Sequence, residues 1–154
     1  MKHFSCFRGK CFMILLAVLF ALTACGKSEE SKQPAPAAGG EFNKFFPKSA
    51  DGFDVVFTQE KAGMAQAKLK KDGKDVAMLT IADLTGNPDA AEKFKNSTAS
   101  IAGYPAAASG SLGTAVLVGN RFQVQVRSNE GSFTEADRRT WLERFNLNGL
   151  ATIR

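Results

Sequence analysis

Phe122-Gln123-Val124-Gln125-Val126 is the stretch that decides the fold, because apolar and polar side chains alternate at every step. A period of two puts Phe122, Val124 and Val126 on one side of an extended chain and the two glutamines on the other, the pattern of a half-buried strand. Just ahead of it, Gly119-Asn120 offers the positive φ that a tight turn needs, and Thr114 to Val118 reads as the partner strand. Downstream, Thr134 and Asp137 have the spacing of a capping box, with Asp in the usual Glu place. It opens a helix through Phe145 whose Trp141, Leu142 and Phe145 share one face, and Asn148-Gly149 ends it. Tyr104 to Ser109 adds a weaker strand, and Pro105 in it argues for a sheet edge.

The first half of the domain follows a similar order. Phe53, Val55 and Phe57 alternate with Asp54, Val56 and Thr58, and Ala65, Ala67 and Leu69 alternate with Gln66, Lys68 and Lys70, which predicts two strands. Asp72-Gly73 supplies a hairpin turn, and the continuous apolar run Val76 to Ile81 predicts a central strand buried on both faces. Asn87-Pro88-Asp89 has the residues of an N-cap, a first-turn proline and a first-turn acid, opening a helix through Lys95. Hairpin and helix thus come in the same order twice. The expected class is α+β, a two-layer sandwich in which two helices pack on one face of a mainly antiparallel sheet.

The N-terminus has a different character. Lys2, Arg8 and Lys10 precede an apolar run from Cys11 to Leu22, which is the layout of a secretory signal and too short for a permanent membrane span. The run ends in Leu22-Thr23-Ala24-Cys25: an aliphatic residue, two small ones, then a thiol. This resembles the lipobox of bacterial lipoproteins. The resemblance implies that Cys25 carries a diacylglyceryl group, that residues 1–24 are removed just before it, and that the chain is anchored through this lipid to a membrane of the bacterial cell envelope, its domain facing the periplasm or the exterior. Residues 25–40, with GKSEESKQPAPAAGG following the cysteine, contain no large apolar side chain and read as a flexible tether. The single globular domain is expected over 41–154.

Removal of the signal takes away Cys6, Cys11 and the single histidine, His3. A lipidated Cys25 then leaves no thiol for a disulfide. Three of the 20 Lys+Arg also leave, so 17 face 15 Asp+Glu and the net charge falls from +5 to +2, which gives no reason to expect nucleic acid as a partner. Without histidine or free cysteine the mature chain cannot build a Ser-His-Asp triad, a Cys-His pair or the usual zinc sites. Ser109-Gly110-Ser111-Leu112-Gly113 lacks the first glycine of a nucleophile elbow. Asp83, Thr85, Asn87 and Asp89 alternate as in a calcium loop, but Pro88 stands where an EF-hand needs glycine and Phe94 where it needs glutamate. No cofactor and no metal are expected.

Phe42, Phe45 and Phe46 suit a segment packed on the domain, with a dip into the membrane interface as the alternative; Trp141 suits the core. The polar sides of the best strands offer the one candidate site. Lys68 and Lys70 with Gln66, and Arg121, Gln123, Gln125 and Arg127, form a Gln/Lys/Arg surface with no acid among them if their strands share a sheet. Such a surface is either a solvated face or a binding face for an anionic envelope component or a protein partner. The expected function is that of a non-enzymatic binding or assembly module. The alternatives are a small enzyme using carboxylates and a carrier of a small apolar ligand.

Overall fold

Two tight turns organise the sheet. Asp72 and Gly73 have φ of 50° and 76°, and Gly119 and Asn120 have 58° and 55°, so in each hairpin both central residues are left-handed, matching the twist of the flanking strands. The computed structural model describes residues 35–154; the signal segment, Cys25 and the first part of the tether lie outside the described residues. The strands are β1 (Phe53–Lys61), β2 (Met64–Lys71), β3 (Lys74–Asp83), β4 (Ser100–Ile101), β5 (Tyr104–Ala108), β6 (Gly113–Val118) and β7 (Phe122–Ser128). They form one seven-stranded sheet in the order β1-β2-β3-β7-β6-β5-β4, antiparallel throughout. The fold is mixed α/β and mostly sheet.

One face of the sheet carries the main core. The registered rows Ala65–Ile81–Val124–Val116–Ala106 and Ala67–Leu79–Val126 run across it, and their residues are buried. Helix α2 (Glu135–Glu143) and the single turn α3 (Leu147–Leu150) cover this face with Trp141, Leu142, Leu147 and Leu150. The capping box forms as the sequence predicts: Thr134 Oγ1 accepts from Asp137 N, and Asp137 accepts from Thr134 N at 2.8 Å. The helix stops at Glu143, and Asn148-Gly149 falls inside α3, because Asn146 opens a new turn by accepting from Gly149 N at 3.0 Å. Phe42, Phe45 and Phe46, in and just after the 3-10 helix Gly39–Phe45, are buried in the same core. These rings are therefore committed to packing.

Three expectations need correction. The segment after Asn87 is not one helix: Pro88–Ala91 is 3-10 and α1 (Glu92–Lys95) is a single α-turn. Only Phe94 in it is buried, too little apolar surface to hold a longer helix. Nor do the helical segments share one face. Phe94 and Leu84 pack with Ala115 and Leu117, whose side chains alternate with Val116 and Val118 and so project from the opposite side of the sheet. This crossing segment is why β6, rather than Val76 to Ile81, is the strand buried on both faces. In β3 only Ala77, Leu79 and Ile81 are fully buried, and Met78 and Thr80 on the other side are half-buried.

The packed unit reaches back before Glu41: Gly63 N donates to the Ala37 carbonyl at 2.7 Å, Ala37 N donates to Asp83 at 3.0 Å, and Gly39 is buried. A Cβ on Gly39 would stand 2.6 Å from the Met64 carbonyl oxygen and closer still to the Lys61 backbone. Gly39→Ala is therefore expected to cost about 1–3 kcal/mol, read as a lower denaturation midpoint at unchanged slope. Gly40→Ala, with its nearest neighbour the Glu60 carboxylate at 3.6 Å, should cost far less.

Candidate binding face

Strands β2 and β7 both flank β3, so the shared sheet that the candidate surface requires is present. Register then aligns the side chains. Lys68, Met78 and Arg127 form one row, Gln66, Thr80 and Gln125 the next, and Met64, Ala82 and Gln123 a third. All alternate with the buried core residues and so share the side away from the main core. Here the sheet is open, because the crossing segment covers only the β5–β6 half. The polar groups are partly knitted together: Gln66 Nε2 donates to Thr80 Oγ1 at 3.3 Å, Gln123 Nε2 to Gln125 Oε1 at 3.1 Å, and Ser109 Oγ to Gln125 Oε1 at 3.3 Å.

The expectation of a cationic surface without acids is wrong in two places. A register shift between Leu69 and Lys70 brings Asp75 opposite Lys70, and its carboxylate pairs with Lys68 at 2.6 Å and with Lys70 at 3.3 Å. Lys68 in first place, against the opposing effect of desolvation and with help from Lys70, holds the Asp75 carboxyl below its usual range. No reading of parity along one strand reveals a residue delivered by a bulge on the next.

Arg121 is the second place. Its Nη2 lies 2.7 Å from Asp83 Oδ2, and its Nε donates to Oδ1 and Oδ2 at 3.1 and 3.2 Å. The Asp83 side chain is 0% exposed and also accepts from Thr85 N at 3.0 Å, Thr85 Oγ1 at 2.6 Å and Ala37 N at 3.0 Å. Arg121 thus fastens the end of β3 to the start of β7 and to the N-terminal segment. The same contacts occupy the first oxygen ligand of the calcium-like spacing. Of the four cations, only Arg127 is exposed without an ion-pair partner among the described residues.

Other candidates resolve into structure. The Ser109–Gly113 loop closes the β5–β6 hairpin, with Ser109 N donating to the Gly113 carbonyl at 2.9 Å. Trp141 is buried in the core. Among the described residues no group of three or more His, Cys, Asp and Glu could hold a metal. The crossing segment does leave one sizeable feature, a cleft of about 620 Å³ lined by Leu84, Pro88, Ala91 and Leu117, with Thr85 and Arg121 among its polar groups. Sequence reading missed Asp75, Met78 and Thr80 as members of the open face, since the apolar run Val76 to Ile81 suggested burial on both sides. No family model matches the chain, and comparison with curated proteins and with solved structures gives no match.

Proposed function

We propose that the chain is a lipid-anchored protein of the bacterial cell envelope that acts as a non-enzymatic binding or assembly module, engaging an anionic envelope component through the open face of β2, β3 and β7. One observation carries this reading: an ordered Gln/Thr ladder, bordered by Arg127, is left partly open to solvent on a sheet whose strand β6 is buried on both sides. Half-buried amides beside an exposed guanidinium that has no ion-pair partner among the described residues suit carboxylate or phosphate groups on a partner. The ionised carboxylates at Asp75 and Asp83 are each tied to cations, which argues against their use as general acids.

The anchor rests on Leu22-Thr23-Ala24-Cys25. Cys25→Ser is expected to abolish acyl labelling and to release or stall the precursor, since two acyl chains give durable binding where one gives only marginal affinity. Unchanged membrane association of a correctly cleaved serine variant would refute it. For the face, changing Lys68, Lys70 and Arg127 to glutamine should leave thermal stability within about 1 kcal/mol while removing the association. That association should also weaken with salt, as exposed charges are screened over about 8 Å at physiological ionic strength. Arg121 is left out of this set because its role at Asp83 is structural.

The cleft beside Leu84 and Leu117 supports a second reading, carriage of a small apolar ligand, because its size suits a small-molecule pocket. Leu117→Trp would fill it. A carrier would lose binding of an apolar fluorescent probe in that variant, and a binding module would keep its partner.

A further inference from the structure

Arg138 stands in the inward stripe of α2 with Trp141 and Leu142, and it is nearly as buried as they are, at 6% exposed. A guanidinium so placed ordinarily faces a carboxylate, because an unpaired buried charge is costly. Among the described residues Arg138 has none within ion-pair distance. The next residue, Asp137, is bonded to Thr134 in the capping box. Arg138 instead rests on neutral oxygens: Nε donates to Thr114 Oγ1 at 2.9 Å, and Nη1 to Ser128 Oγ at 2.9 Å and to the Phe133 carbonyl at 3.5 Å.

The donors left over matter most. Nη2 has no partner among the described residues, and Arg138 reaches the wall of a cleft. Thr114 Oγ1 spends a lone pair on Arg138, and its own proton has no acceptor among the described residues. Arg138 and Thr114 both line a cleft of about 140 Å³, together with Arg139, Glu135, Gly110 and Ser111. That is space for about four or five waters, or for one carboxylate or phosphate group. Arg139 is steadied by its bond to the Ser100 carbonyl at 3.0 Å. Glu135 is exposed and is not ion-paired with either arginine.

We infer that this cleft is a binding site for a small oxyanion, a carboxylate or phosphate group, held by the Arg138 guanidinium and the Thr114 hydroxyl at its base and by Arg139 at its rim. The site is not part of the open sheet face but adjoins it, since Arg127 Nη1 lies 3.8 Å from where a Cβ on Gly110 would stand. The bound anion supplies the charge that the fold leaves uncompensated, its oxygens accepting from Arg138 Nη2 and from the Thr114 hydroxyl.

The test is a titration of the full chain with sodium phosphate and, separately, sodium acetate. Ionic strength is held constant with sodium chloride, and the arginine Nε–H resonances are followed by NMR. A saturable shift of the Arg138 resonance with either anion is the expected result, and the anion that binds more tightly identifies the group. Arg139→Gln should weaken binding at least about threefold and Glu135→Gln should strengthen it about threefold, the scale of one partly exposed charge; Lys48→Gln, at an exposed cation outside the cleft lining, should change nothing. Arg138→Met removes the site, and should it fail to fold, the Arg139 and Glu135 variants decide. Shifts no larger than those produced by chloride would overturn the inference. Saturable binding indifferent to both Arg139→Gln and Glu135→Gln would overturn it too.

Discussion

Arg121→Gln is expected to destabilise the domain by about 3–5 kcal/mol, the cost of leaving one member of a buried ion pair alone. The Asp83 side chain is 0% exposed and that of Arg121 18%, so solvent is a poor substitute for the guanidinium. Burial by itself would push the Asp83 carboxyl upward, but the bonds from Arg121, then Thr85 and Ala37, outweigh it and hold the group well below the ordinary carboxylate range. A folded-state pKa below the unfolded value of about 3.9 stabilises the fold above that pH, and the contribution is lost as the pH falls below it. Wild type and variant should therefore differ most near neutral pH. The gap should narrow through the carboxylate range, since a protonated Asp83 no longer needs a cation. Asp83→Asn should cost about 1–3 kcal/mol, and the double variant should cost less than the sum of the singles. Denaturant unfolding at pH 7 and at pH 3 checks all of this; a gap that widens on acidification would contradict it.

Trp141→Ala should cost a similar amount, about 3–5 kcal/mol. The ring is buried, packs edge-on against Phe53 at 5.2 Å between centroids, and lies under the Arg144 guanidinium at 4.6 Å. Phe53 opens β1, so this contact joins the last long helix to the first strand. Since Trp141 is the sole tryptophan, the loss must be followed by circular dichroism rather than by intrinsic fluorescence. A change within about 0.5 kcal/mol, as for a surface site, would mean that the ring is not a core residue.

The strands and turns were legible because they depend on local chemistry. Period-two alternation gave β2 and β7, Asp72-Gly73 and Gly119-Asn120 gave the hairpins, and Thr134 with Asp137 gave the start of α2. What escaped depends on partners distant in sequence. The two-residue strand β4 exists through its pairing with β5. Asp75 reaches Lys68 through a bulge, and Gly39 is fixed by a backbone approach that no composition reveals. One signal was present and unread: position 138 lies three, four and seven residues before Trp141, Leu142 and Phe145, so an arginine stands in phase with the apolar stripe.

The open face is tested most directly by placing a photo-crosslinking residue at Gln66 or Gln125 in the full-length protein in its own envelope, with Thr140, exposed on α2, as the control position. The expected result is one discrete adduct shared by the two face positions, absent from Thr140 and diminished when Lys68, Lys70 and Arg127 are glutamine. Adducts of equal yield from Thr140, or none above background from Gln66 and Gln125, would contradict a binding role for the face of β2, β3 and β7.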